Sequence, residues 1–189
     1  MVSVIRGDDN FDSDSSVVLE YISTSTVTSA VATLDITSGF DSSAYFGYRI
    51  VYKNITPSAS AGLYMLYSTD GGSSYKTTTS DYDNVGIRWI NGFSVVNTGA
   101  GDKVNVLPYA IPTAYAGIVG YTELYYGPGG TYNYAQGLSF VTGYSSTNNM
   151  GGALENFALT NTSNFNALRF QFDSGNITSG SFILYGMRS

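Results

Sequence analysis

The sequence has no histidine and no cysteine in its 189 residues. Without imidazole or thiol, Ser-His-Asp triads, Cys-His dyads, histidine-built zinc sites, thiolate metal sites and disulfides are all excluded. Charge is scarce too, since Asp, Glu, Lys and Arg make up only 12% of the chain, so the polar surface must be built from Ser, Thr, Asn and Gly. The balance of 8 basic against 14 acidic residues gives a net charge of −6. That leaves no electrostatic footprint for nucleic acid and no polybasic patch for a membrane. Apolar runs are short and broken by Gly, Ser and Tyr, so no membrane-spanning helix is expected. The opening MVSVIRGDDN has no basic region followed by an apolar core, and no secretory leader is expected from it. Helical periodicity is also missing, as are the Ala-, Leu-, Glu- and Lys-rich blocks that favour helices.

What is present points to strands. Hydrophobic residues reach 43% and aromatics 15%, with 17 Tyr, enough to build one substantial core. Short alternating stretches bounded by turn residues predict strands at Val17–Ile22, Val31–Thr37, Tyr45–Lys53, Leu63–Ser68, Val85–Ile90, Lys103–Leu107, Tyr115–Tyr126, Leu138–Tyr144, Leu154–Leu159, Leu168–Phe172 and Ser181–Tyr185. The expected fold is all-β, a single-domain, jelly-roll-like antiparallel β-sandwich spanning 1–189, with 1–16 as an acidic N-terminal arm. The loop Gly127–Gly130 interrupts strand patterns without separating domains.

Alternation assigns faces. Phe46, Tyr48, Ile50 and Tyr52 share one face of their strand and should be core, with Gly47, Arg49, Val51 and Lys53 opposite. Leu63–Tyr67 is apolar on both faces, as for a central strand or one covered by a partner. Tyr45–Tyr75 reads as a hairpin whose second strand ends in the tight turn Asp70-Gly71-Gly72. Phe170, Phe172, Phe182, Leu168 and Leu184 supply C-terminal core, and Trp89 is expected to pack inside with Ile87.

Candidate chemistry is sparse. Asp8-Asp9-Asn10-Phe11-Asp12 opens like an EF-hand loop, but Ser13 stands at the glycine position and Leu19 at the terminal glutamate position, so a solvated acidic loop is expected. Asp70-Gly71-Gly72 is explained by a turn without any ligand, since no helix follows it. Asp81 and Asp83 fit an exposed strand face. The remaining option is sugar hydrolysis by paired carboxylates, for which Glu123 and Glu155 are the best candidates among the three Glu. The reading favoured here is no catalysis, no metal and no cofactor. The sequons at Asn54, Asn161 and Asn176 are expected by chance in so Asn- and Thr-rich a chain. Tyr121, Tyr125, Tyr126, Tyr132 and Tyr134 lie among glycines and form the candidate ligand-binding surface, suited to sugar stacking or protein contact.

Two stretches carry a family resemblance. LYMLYSTDGGSSY (Leu63–Tyr75) follows a Tyr-rich strand, and SGNITSGSFILYGMRS (Ser174–Ser189) closes the chain. Both resemble structural proteins of tailed-bacteriophage virions, of the tail appendage or fibre type. The resemblance implies a virion location, a homo-oligomer in contact with other virion proteins, and a role in host attachment, with a host surface glycan as a possible ligand. A capsid head decoration protein and a carbohydrate-binding module are the alternatives. A fibre shaft has no room in a chain of this length.

Overall fold

A computed structural model describes residues 17–113, 117–126, 135–146, 149–160 and 163–188. Among the described residues there are twelve strands: β1 Val18–Val27, β2 Leu34–Ile36, β3 Gly47–Pro57, β4 Ala61–Ser68, β5 Tyr82–Trp89, β6 Phe93–Gly101, β7 Val104–Ile111, β8 Ile118–Tyr125, β9 Ala135–Ser146, β10 Asn149–Leu159, β11 Ala167–Phe172 and β12 Ile177–Arg188. They form two antiparallel sheets, an eight-stranded one in the order β1-β12-β3-β8-β9-β10-β5-β6 and a four-stranded one in the order β2-β11-β4-β7. The sets β1-β12-β3-β8 and β2-β11-β4-β7 are the two four-stranded layers of a jelly roll. The hairpins β5–β6 and β9–β10 are inserted into that plan, and both extend the same sheet. The result is a lopsided sandwich, in which a wing of β9-β10-β5-β6 reaches past most of the smaller sheet and β7 packs over it.

The core lies where the two sheets face each other. Tyr48, Ile50 and Tyr52 of β3, Phe182 and Leu184 of β12, Met65 and Tyr67 of β4, and Leu168 and Phe170 of β11 are all buried there. Tyr52, Phe170 and Phe182 meet edge-on or tilted at 4.8–5.8 Å, a geometry that suits aromatic quadrupoles. Three buried hydroxyls are linked in a chain across the layers. Tyr52 Oη pairs with Thr122 Oγ1 at 2.6 Å, Thr122 donates to Ser139 Oγ at 2.9 Å, and Ser139 reaches the Val106 carbonyl at 3.5 Å.

Several expectations are corrected. Tyr45–Tyr75 is not a hairpin, because β3 and β4 belong to different sheets; the Ser58–Ser60 link carries the chain across the sandwich. Of the two readings of Leu63–Tyr67, the central strand holds: β4 lies between β11 and β7, and Leu63, Met65, Leu66 and Tyr67 are all buried. Asp70-Gly71-Gly72 does turn tightly, with φ of 73° and 89° at the glycines, and the Asp70 carboxylate accepts bonds from Ser68 and Ser74. It ends β4 without starting a hairpin. Phe46 precedes β3 and is 40% exposed. Strand β6 has no counterpart among the predicted segments, and the acidic arm 1–16 lies outside the described residues.

One buried tyrosine ties the link between β4 and β5 to the core. Tyr82 is fully buried, accepts the Tyr67 N–H at 3.0 Å and donates to the Lys76 carbonyl at 3.0 Å. Tyr82→Phe keeps the ring and strands both partners. A loss of about 1–3 kcal/mol in chemical denaturation is expected.

Candidate functional site

Among the described residues, no second layer covers the outer face of the eight-stranded sheet. Pairing registers align Ile183, Val51, Tyr121, Phe140, Leu154, Ile87 and Val95, one residue from each strand between β12 and β6. All seven are apolar or aromatic. None belongs to the buried core, and exposure is greatest at the free edge, with Phe140 at 39%, Ile87 at 38% and Val95 at 67%. Phe93, beside Val95 on β6, is 82% exposed. Isolated apolar residues on a surface are ordinary; a continuous row across a whole sheet marks a contact site.

Trp89 belongs to this face. Its ring lies across Gly152 of β10, where a Cβ would stand 2.3 Å from Trp89 Cζ2, and it reaches Phe140 at 5.8 Å between ring centres. Gly152 is therefore the residue that lets the indole lie flat on the sheet. The expected core position for Trp89 and Ile87 is corrected. Their strand is in the wing, and alternation turns both away from β7.

A polar cluster adjoins the row. Glu123 Oε1 accepts Arg49 Nε at 2.7 Å and a second bond from Arg49 Nη2, while Glu123 Oε2 accepts the Tyr125 hydroxyl at 2.7 Å. The Arg49 guanidinium also sits 4.9 Å from the Tyr121 ring centre, a cation–π contact. Tyr125 stacks on Phe46 with 14° between planes. Burial, and then the neighbouring Glu123 carboxylate, pushes the Tyr125 hydroxyl up to about 12. Farther along β9, β10 and β5, a depression of about 250 Å³ is lined by Gln136, Asn156, Asp83 and Val85.

The candidate tyrosines therefore divide. Tyr121 and Tyr125 share this face. Tyr126 does not, because its ring stacks on Phe165 at 4.7 Å, meets Tyr48 edge-on, and donates its hydroxyl to the Phe165 carbonyl. One residue past the end of β8, alternation sends it into the core. Tyr132 and Tyr134 lie outside the described residues.

The candidate acids do not converge. Glu123 pairs in register with Leu138, whereas Glu155 pairs with Ser139 and Gly86, so the two carboxylates stand on opposite faces of one sheet. They cannot flank a common glycosidic bond, whose hydrolysis needs both acids on one cleft. Glu155 is fully buried beneath β7 with neither carboxylate oxygen hydrogen-bonded. Desolvation alone pushes its carboxyl up to about 8. Asp81 caps the Thr78 N–H at 2.7 Å, and Asp83 stands alone on the outer face, so they are not a working pair.

The residues missed by sequence reading are Arg49, Phe140, Leu154, Val95 and Phe93. Alternation alone marks half of each strand as outward. Only the pairing registers show that the outward halves of seven strands are apolar at the same level. No protein-family model, curated protein or solved structure matches the chain.

Proposed function

We propose that this chain is a non-catalytic structural part of a tailed-bacteriophage particle, an oligomeric tail appendage or fibre-type component that takes part in host attachment. The observation that carries the assembly half of this reading is the uncovered apolar row from Ile183 to Val95. Its occupant is a second copy of the chain. The row itself bears no charge and the adjacent Arg49–Glu123 pair neutralises itself, so two copies of net charge −6 can meet there without opposing fields. Six strand spacings and about 20 Å of strand length give a face of about 29 by 20 Å, or about 580 Å², the larger part of the ~800 Å² per partner of a stable interface. The virion half rests on the resemblance of Leu63–Tyr75 and Ser174–Ser189.

Labelling purified particles with antibody against this chain tests the location. Label at the tail is the expected result. Label over the head would replace the appendage with a decoration protein, and unlabelled particles would remove the virion reading altogether.

The polar end of the same face favours a second role, glycan contact. Tyr121, Tyr125 and Phe46 offer ring faces, and Gln136, Asn156 and Asp83 offer hydrogen-bonding groups around the depression. Tyr121→Ala with Tyr125→Ala is expected to weaken binding to host polysaccharide at least about tenfold, as loss of stacking and anchoring contacts would. Unchanged binding in a glycan pull-down would remove the sugar from this face.

A further inference from the structure

We infer that two copies of this chain join edge to edge through β6, so that their eight-stranded sheets continue into one antiparallel sheet across a two-fold axis. The inference rests on the oligomeric reading above and adds a contact through the sheet edge, separate from the one that covers the outer face.

The four sheet edges differ in how they are protected against pairing. Strand β2 has three residues and carries the Asp35–Arg169 ion pair. Strand β7 contains Pro108, pairs irregularly with β4, and is laid over β9 and β10. Strand β1 carries Glu20, which is paired with Arg188, and its register shifts between Tyr21 and Ser23. Shortness, charge, proline and bulges are the devices by which edge strands avoid joining one another. Over Phe93–Val96, β6 has none of them. Its sequence FSVVNTGAG is free of charge and proline, and its irregularities, a register shift opposite Val85 and Gly86 and a φ of 101° at Gly99, fall beyond Val96. Phe93–Val96 is thus a straight, neutral ledge at the end of the sheet.

The side chains of this ledge agree with pairing to a copy of itself. Phe93 and Val95 continue the outer-face rows of Trp89 and Ile87, and they are among the most exposed large apolar residues of the described chain. Antiparallel pairing about a two-fold axis places the same ledge opposite itself, as an isologous contact requires. Each row then runs on into the partner's row, and Phe93 and Val95 gain apolar neighbours on the side now open to water. Backbone pairing supplies directional bonds along an edge that no described strand occupies.

The natural absence of cysteine makes a clean test possible. Single cysteines are placed at Phe93, Ser94, Val95 and Val96 of β6, and at Thr24 of β1 as the opposite edge. Antiparallel neighbours lie at about 4.5–5.5 Å between Cα atoms, inside the range a disulfide spans. Mild oxidation is expected to link copies at one or two adjacent β6 positions and not at Thr24. Val95→Lys, at an already exposed position, is expected to weaken self-association at least about tenfold while the thermal midpoint of the monomer stays put. Cross-linking at Thr24 alone would overturn edge pairing through β6 and leave the oligomeric reading standing, whereas undiminished association of Val95→Lys would overturn edge pairing and the outer-face contact together. A wild-type chain that is monomeric throughout would overturn both.

Discussion

Replacing Glu155 with glutamine is expected to abolish most of the change in stability between about pH 5 and 8, and to leave the variant a few kcal/mol more stable than the wild type at about pH 8.5. Glu155 is fully buried between β10 and β7, its oxygens have no hydrogen-bond partner, and its carboxyl is pushed up to about 8 from an ordinary value of 4.5. The folded state therefore holds a proton there that the unfolded chain releases near pH 4.5. Stability is full below that pH and falls as pH rises, until the folded carboxyl ionises near 8. At ~1.4 kcal/mol per pH unit, the interval corresponds to about 5 kcal/mol, a large part of a domain's typical ~5–15 kcal/mol.

Desolvation is the one cause of the shift, and the register neighbours of Glu155 do not oppose it. Gly86 on β5 and Ser139 on β9 are its register neighbours, and neither titrates. Arg88, farther along β5, is turned to Ser94 and the Pro108 carbonyl. Histidine, the usual source of a transition in this window, is absent. Urea unfolding across the pH range reads the effect directly. A wild-type profile that is flat from pH 5 to 8, or that rises, would show that Glu155 is solvated or paired in solution. At low pH the glutamine variant should match the wild type closely, because both then bury a neutral polar group.

The second large effect is expected at Ile87. Changing it to lysine places a charge at the middle of the wing's outer row, between Leu154 and Val95. The fold should tolerate the change, since Ile87 is 38% exposed and its side chain leaves the sheet on the uncovered side. Self-association should not. Central interface positions contribute about 2–4 kcal/mol, and a lysine there must also be desolvated, so the dissociation constant is expected to rise roughly 30- to 1000-fold. Thr79→Lys, in the exposed loop before β5, adds the same charge off the face and should leave association unchanged. Sedimentation velocity distinguishes the outcomes. Equal association of wild type and Ile87→Lys would mean that copies meet elsewhere.

Much of the architecture was legible in the sequence because alternation is a local signal. Tyr48, Ile50 and Tyr52 announce a buried face unaided, and the cysteine-free, strand-and-turn pattern is that of a sandwich. What sequence could not give was the division into sheets. Tyr45–Tyr75 looks like a hairpin because two strands follow each other closely, yet in a jelly roll that step crosses layers. Strand β6 escaped notice because its alternation fades into Asn-Thr-Gly-Ala-Gly. The candidate site depended still more on register. Glu123 and Glu155 both stand in apolar surroundings along the chain, and only the pairing of Glu123 with Leu138 and of Glu155 with Ser139 puts them on opposite faces. Trp89 illustrates the same limit. Its size and neighbours suggest a core residue, but its strand lies in a wing with one face uncovered.

That position makes Trp89 a natural reporter, because it is the only tryptophan in the chain. Its ring lies on the outer face against Phe140, so its fluorescence senses whatever covers that face. Acrylamide quenching of the wild-type chain, followed over a dilution series, is the most direct test of assembly through the uncovered sheet. Weak quenching when concentrated, rising on dilution to the level of Ile87→Lys, is the expected result. Quenching that is strong and constant across the series would mean that the outer face is open to solvent at every concentration, and would contradict assembly through it.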